Sequence, residues 1–317
     1  MLKTEWAEKI KKLKQEKHAV LLAHYYQRPE VQDVADFLGD SLQLSQAAAQ
    51  TDADIIVFAG VHFMAETAKI LSPAKKVLIP DRNAGCSLAA SCNAGDFKKF
   101  IDEHPGHTVI SYVNTSAEVK ALTDICCTSS NALKIVQSLP EDEKIIFGPD
   151  KNLGNYIKSI TGRENMLVWN GVCHVHEAFS AEKIVALKEQ HPEAKILAHP
   201  ECKKQVLLLA DYIGSTAALL AFSAKDETKK YIVVTEPGII HQMQKKSPDK
   251  EFLPVPPGNA HSSSIEDDCG ACNDCEFMKI IDLEKIYLSL LHERYEITIP
   301  EEVRKKAEKA ILNMLNL

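Results

Sequence analysis

Three stretches of the chain run through the same order of apolar and polar positions. They are VLLAHYYQRPEVQDVADFLGDS (Val20–Ser41), TVISYVNTSAEVKALTDICCTS (Thr108–Ser129) and KILAHPECKKQVLLLADYIGST (Lys195–Thr216). They align without gaps, at offsets of 88 residues (108 − 20) and 87 residues (195 − 108). Each opens with an apolar run of strand length and turns through polar residues. Each then enters a pattern read as helical, with one acidic residue in register: Asp36, Asp124 and Asp211. Each closes on a hydroxyl: Ser41, Ser129 and Thr216. A second apolar run follows in every copy (Asp54–Phe58, Lys144–Phe147, Tyr231–Thr235), and then a third (Val77–Ile79, Met166–Val168, Phe252–Leu253). Continuous Val/Ile/Leu runs separated by helical segments predict parallel strands covered on both faces. The fold class is α/β, each copy a small α/β/α sandwich with a short parallel sheet.

The flanks depart from this pattern. Thr4–Lys17 predicts a helix capped by Thr4, and its lysines (Lys9, Lys11, Lys12, Lys14, Lys17) read as a solvated face. Ile280–Tyr295 and Glu301–Leu315 are amphipathic, with Pro300 placed to start the last helix. No Gly/Ser linker separates the copies. The expected divisions are 1–86 joined by the helices of 276–317, then 87–173, then 174–275.

Composition narrows the functional classes. Of the 317 residues 45% are hydrophobic and 26% charged, an ordinary globular profile. A net charge of −7 argues against nucleic-acid or membrane-surface partners, which favour basic patches. Met1–Lys17 has no apolar core of a signal peptide, and Val206–Phe222 is interrupted by Asp211 and Gly214. A cytoplasmic protein is expected. In a reducing compartment, nine cysteines point to metal or redox chemistry and not to a disulfide framework.

In open parallel sheets, ligands bind beyond the carboxyl ends of the strands. There the repeat sets His24 and Tyr26, Tyr112 and Asn114, and His199 and Glu201. A core position would be apolar in all three copies; these are polar and differ, so they are candidate site residues. Ser41, Ser129 and the Ser215–Thr216 pair are N-cap types. They cap helices and nothing more, or three helix N-termini on one axis favour an anion with several charges.

Cys86 and Cys173 each follow a third apolar run, one repeat apart (173 − 86 = 87). The third copy has Ala260 at that offset, and its cysteines come later, in Cys269-Gly-Ala-Cys272-Asn-Asp-Cys275. One thiolate from each copy would suit a [4Fe–4S] cluster with one iron lacking a protein ligand, an open Lewis acid. The closing motif alone also fits a structural zinc loop or a redox pair. Cys126 and Cys127, placed at a helix end, read as structural, and Cys92 and Cys202, which lack partners in the repeat, as spectators.

These residues resemble a known family. AHYYQRPEVQDVADFLGDSLQLS, DRNAGCSLAASC, SYVNTSAEVKALTDICCTSSNA, AHPEC with GST, and the final C-x-x-C-x-x-C before FMKIIDLEKI are similar to the quinolinate synthases. The resemblance runs from about residue 18 into the C-terminal helices. It implies three pseudo-threefold-related domains around a [4Fe–4S] cluster. It implies condensation of iminoaspartate with dihydroxyacetone phosphate to quinolinate, phosphate and two waters, for de novo NAD biosynthesis. An L-aspartate oxidase or dehydrogenase would supply the iminoaspartate. By motif the cluster ligands would be Cys86, Cys173 and Cys275, the last because it stands just before Phe277-Met278-Lys279. Cys269 and Cys272 would be a non-ligand, redox-sensitive pair. The usual AHNYQ is AHYYQ here, with Tyr25 in place of Asn; Tyr26 is kept.

On this reading Tyr26, Glu201, His199 and Tyr112 are catalytic. Ser129, Tyr112, Asn114 and Ser215–Thr216 hold carboxylates and phosphate, with Ser41 in the same role in copy one. His24 and His199 orient substrate oxygens, Glu201 and Tyr26 move protons, and His176 lines the cavity. An iron–sulfur hydro-lyase acting on a hydroxy-acid is the alternative enzyme, and a zinc-bound scaffold the non-catalytic one.

Overall fold

The computed structural model describes residues 3–256 and 273–317. Cys269, Cys272 and Ala260 lie outside the described residues. Twelve strands among them form three separate four-stranded sheets. The first holds β1 (Ala19–His24), β2 (Phe37–Gly39), β3 (Ile55–Ala59) and β4 (Lys76–Leu78). The second holds β5 (Thr108–Tyr112), β6 (Ile125–Cys127), β7 (Ile145–Gly148) and β8 (Met166–Val168). The third holds β9 (Lys195–Ala198), β10 (Tyr212–Ile213), β11 (Lys230–Val234) and β12 (Glu251–Pro254). Every pairing is parallel, and the orders are β2-β1-β3-β4, β6-β5-β7-β8 and β10-β9-β11-β12. The α/β class and its threefold repetition are as the apolar runs indicated.

Each sheet carries one strand more than those runs predicted. β2, β6 and β10 stand where a helical pattern was read. The in-register acids are therefore not on helices; they sit immediately before these edge strands. Asp36 Oδ2 accepts from Leu21 N at 2.8 Å, Asp124 Oδ2 from Val109 N at 2.8 Å, and Asp211 Oδ2 from Ile196 N at 2.7 Å. In return each aspartate N–H donates to the carbonyl of the same partner, at 2.9, 3.0 and 2.9 Å. A carboxylate thus completes the ladder where the edge strand has not yet begun. Cys126 and Cys127 correspondingly lie on strand β6, buried, and not at a helix end.

The strands are apolar on both sides because both sides are covered. Leu197, Tyr231, Val233 and Phe252 of the third sheet join the core shared with the first two sheets. The alternate residues Ile196, Ala198, Ile232 and Val234 pack a second core with Phe179, Ile184 and Val206. This is the period-two rule of a strand, read on both faces. The N-terminal helix runs Lys3–Glu16, so Thr4 lies inside its first turn. It packs on the helix Leu283–His292, whose cap is Asp282. The last helix, Glu301–Leu315, starts after Pro300 and lies against β6 and the short helix Ala117–Lys120. Among the described residues no helix is long and apolar enough to cross a membrane.

Candidate active site

The carboxyl ends of the three sheets deliver their residues to one cavity. From the ends of the first strands come His24 and Tyr26, Tyr112 and Asn114, and His199 and Glu201. From the turns after the edge strands come Asp40 and Ser41, Thr128 and Ser129, and Thr216. Cys86, Cys173 and Cys275 line it from the loops beyond the fourth strands, and His176 follows Cys173. Thirteen of the fourteen residues singled out from the sequence therefore meet in one place. Ser215 is the exception and is not a lining residue. Its hydroxyl accepts from Ala218 N at 3.3 Å and lies 2.8 Å from Ser130 Oγ, which donates to Asp40 Oδ2 at 2.8 Å. One residue from each repeat thus forms a polar clasp behind the wall, with Ser215 supporting its neighbour Thr216.

Two of the three hydroxyl caps are corrected. The helix Ser41–Gln50 is capped by Asp40, whose Oδ1 accepts from Leu42 N at 3.2 Å and Gln43 N at 3.1 Å. Ser41 is its first residue. The helix Ala132–Ser138 begins after Asn131, two residues beyond Ser129. Only the third copy has a serine cap, Ser215, before Thr216–Lys225. A carboxylate at the first N-terminus weakens the picture of three matched anion-binding ends. Hydroxyl, amide and imidazole groups line the cavity beside these N-termini.

A line of hydrogen bonds crosses the site. Thr216 Oγ1 and Thr235 Oγ1 each lie 2.7 Å from Tyr26 Oη. Thr235 Oγ1 is 2.9 Å from His176 Nε2, and His176 Nδ1 is 3.1 Å from Glu201 Oε2. Tyr112 Oη donates to Glu201 Oε1 at 2.6 Å. His199 stacks on His176 at 4.7 Å between ring centres and reaches Ser129 Oγ at 3.2 Å. Tyr26, Tyr112 and Glu201, one from each repeat, are thereby linked.

Burial sets the charge states. Burial pushes Glu201 up, but His176, His199 and the Tyr112 hydroxyl outweigh it and hold the carboxyl well below the usual range. Burial, and then the neighbouring His199, depresses His24 to about 3; burial, and then His176, depresses His199 to about 3. Both imidazoles are neutral at pH 7. Burial raises Tyr26 and Tyr112 far above their ordinary value, and the Glu201 charge raises both further. The Glu201 carboxylate therefore faces neutral His24 and His199 and two protonated tyrosines.

Cys86, Cys173 and Cys275 are free and half-buried, and each precedes a four-residue helix: Ser87–Ala90, His174–Glu177 and Glu276–Lys279. Burial raises Cys86 to about 11 and Cys275 to about 12, and Cys173 is raised further still. Cys86 and Cys275 each add to the penalty on Cys173. The N–H groups of Ala89, His176 and Met278, each three residues on, oppose this and favour thiolate. No lysine or arginine is among the described lining residues. Three converging sulfurs with no fixed cation in the wall suit a group that carries its own positive charge, as an iron–sulfur centre does. Cys173, His176 and Glu201 also bring ligand atoms within 4.8 Å of one another. In that set one imidazole nitrogen, His176 Nδ1, already meets both the carboxylate at 3.1 Å and the Cys173 sulfur at 3.3 Å.

Asp40, Thr235 and Glu236 escaped the sequence reading. Thr235 ended an apolar run and was counted as strand. Yet Thr235-Glu236 stands at the carboxyl end of β11 as His24 stands at that of β1, and that position was the available signal.

A family model described as quinolinate synthetase A protein matches residues 8–316. A quinolinate synthase of Microcystis aeruginosa is 58% identical over 308 residues, covering 97% of this chain and 93% of that protein. One of Synechocystis sp. is 57% identical over 306 residues (96% and 93%), and one of Chloroherpeton thalassium 56% over 310 residues (98% and 94%). A match of this length and identity, carried on a cavity built by all three repeats, settles the family: the chain belongs to the quinolinate synthetase A family.

Proposed function

We propose that this chain is a quinolinate synthase of NAD biosynthesis, condensing iminoaspartate with dihydroxyacetone phosphate and releasing phosphate and two waters. The observation that carries the reading is the single cavity in which three cysteines, one from each repeat, face a buried Glu201–Tyr112–His176 cluster. Cys86, Cys173 and Cys275 would hold a [4Fe–4S] cluster with one iron free of protein ligands. When bound, that cluster supplies a Lewis acid for the loss of water.

The chain's own groups supply the rest. Glu201 is a buried anion and accepts a proton at Oε1 or Oε2; Tyr112 and His176 fix its two oxygens. Tyr26 stays protonated and donates from Oη, held there by Thr216 and Thr235. Neutral His24 and His199 offer hydrogen bonds to substrate oxygens without adding charge. Ser41, Asn114, Ser129 and Thr216 receive carboxylate and phosphate oxygens, and Ser215 acts by holding Thr216 in place. We infer a cytoplasmic enzyme whose iminoaspartate comes from an L-aspartate oxidase or dehydrogenase. The family match favours this synthase over a hydroxy-acid hydro-lyase.

The test is turnover by anaerobically purified enzyme with iminoaspartate and the phosphorylated ketose. Quinolinate and phosphate should appear in equal amounts. Activity on a hydroxy-acid with no need for a phosphorylated substrate would overturn the reading.

A further inference from the structure

Cys275 reaches the cavity by a different route from Cys86 and Cys173. Eight residues carry the chain from Leu78 to Cys86 (86 − 78) and five from Val168 to Cys173 (173 − 168). From Pro254 to Cys275 it takes 21 (275 − 254). The first two loops are also fastened to each other. Ser87 Oγ lies 2.6 Å from His174 Nδ1, and Trp169 Nε1 donates to Ser91 O at 3.1 Å. The described residues around Cys275 carry a fastening of their own.

The structure supplies one in Lys279, at the end of the short helix that Cys275 begins. Lys279 Nζ lies 2.8 Å from Glu236 Oε1 and donates to Tyr26 O at 2.7 Å. Its own carbonyl accepts from Arg28 Nε at 2.7 Å. Glu236 is fully buried; its Oε2 accepts from Gly238 N at 2.8 Å and its Oε1 from Cys275 N at 3.3 Å. The carboxylate therefore holds the ligand's own backbone and the lysine four residues on. Segments of the first and third repeats close on this pair so tightly that Gly238 has no room for a side chain. A Cβ there would lie 2.8 Å from Lys279 Nζ and 2.9 Å from Tyr26 Cα. Removing Lys279 would leave the buried Glu236 charge without its cation.

We propose that Glu236 and Lys279 are positioning residues forming a latch, which seats Cys275 in the metal site and ties it to the backbone of Tyr26. This rests on the reading of Cys275 as a cluster ligand. The latch gives the third sulfur the fixity that short loops give the other two. It also makes the distance between the metal site and the Tyr26 hydroxyl depend on one ion pair.

The experiment uses the anaerobic holoenzyme, with Lys279→Met, Lys279→Arg and Glu236→Gln beside wild type. Iodoacetamide labelling of each cysteine is read by peptide mapping, with iron release to a chelator followed in parallel. In wild type Cys86, Cys173 and Cys275 should be protected until iron is removed. In Lys279→Met and Glu236→Gln, Cys275 should label several-fold faster while Cys86 and Cys173 keep their wild-type rates. The same variants should lose kcat with little change in KM, as Tyr26 shifts. Lys279→Arg should restore protection. Glu236→Gln keeps the side chain's shape and one of its two oxygen acceptors, so it removes the charge with little change of volume even if Lys279→Met fails to fold. Wild-type labelling of Cys275 in both charge-removing variants would overturn the latch, as would equal exposure of all three cysteines. Free labelling of Cys275 in iron-loaded wild type would instead overturn its role as a ligand.

Discussion

The cysteine loops of the first two repeats and that of the third end alike and travel differently. All three sulfurs stand directly before a four-residue helix and face one cavity. In repeats one and two the sulfur follows the last strand within eight and five residues, and the loops brace each other through Ser87 and His174. In repeat three it arrives after 21 residues and is braced by the pairing of Lys279 with the buried Glu236. The difference teaches that the threefold frame fixes where a ligand must end, not the path to it. The same holds along the cavity wall: one scaffold position carries His24, Tyr112 and His199, and another carries Tyr26, Asn114 and Glu201. Repetition provides convergence, and divergence provides chemically distinct groups for two substrates.

The comparison can be broken at either side. The largest effect should come from the sulfurs. Cys86→Ala, Cys173→Ala and Cys275→Ala should each abolish bound iron and turnover, whereas Cys272→Ser should keep both. Iron analysis decides, and retention of iron in Cys275→Ala would sever the third loop from the other two. Next is Glu201→Gln, which should keep the iron but lower kcat by about 10²–10⁴-fold, the range for loss of a general acid–base group. Normal turnover would remove Glu201 from proton transfer. Gly238→Ala should destabilise by about 1–3 kcal/mol through overpacking against the latch, seen as a lower Tm. An equally stable variant would show that the three segments do not meet as tightly there as the backbone indicates.

A smaller effect concerns pH. His24 and His199 are depressed to about 3 in the folded protein, against an ordinary 6.5. The unfolded chain then binds more protons between those values, so stability is fully present above about pH 6.5 and declines as pH falls toward 3. Both imidazoles of the metal-free protein should keep unchanged NMR shifts from pH 8 to pH 5. Titration near 6.5 would mean that they are not buried neutral. The smallest effect is at the periphery. Asp124→Ala removes the acceptor for Val109 N and should cost about 1 kcal/mol in denaturant unfolding while leaving turnover intact. The equivalent changes at Asp36 and Asp211 should match it, because the three staples share one geometry.

Much of this was legible in the chain. The repeat placed nine strands and the groups at their carboxyl ends, because fully covered parallel strands leave long apolar runs. β2, β6 and β10 were not legible: strands of two or three residues have no period, and their acids resembled the polar positions of a helix. Asp40 was passed over because the hydroxyls beside it drew the capping assignment. Cys275 broke the repeat period because the chain lengthens before it, and only the family motif singled it out. The ties made by Thr235, Glu236 and Lys279 are tertiary; no spacing in the sequence announces that residues 26, 236 and 279 meet.

The central claim is that three repeats each give one sulfur to a single cluster. Iron and acid-labile sulfide should be measured per chain in anaerobically purified protein, together with its visible absorbance. The account predicts about four irons and four sulfides per chain with a brown chromophore, as three thiolates around one [4Fe–4S] centre require. One zinc per chain with no sulfide, in protein that still makes quinolinate, would contradict it.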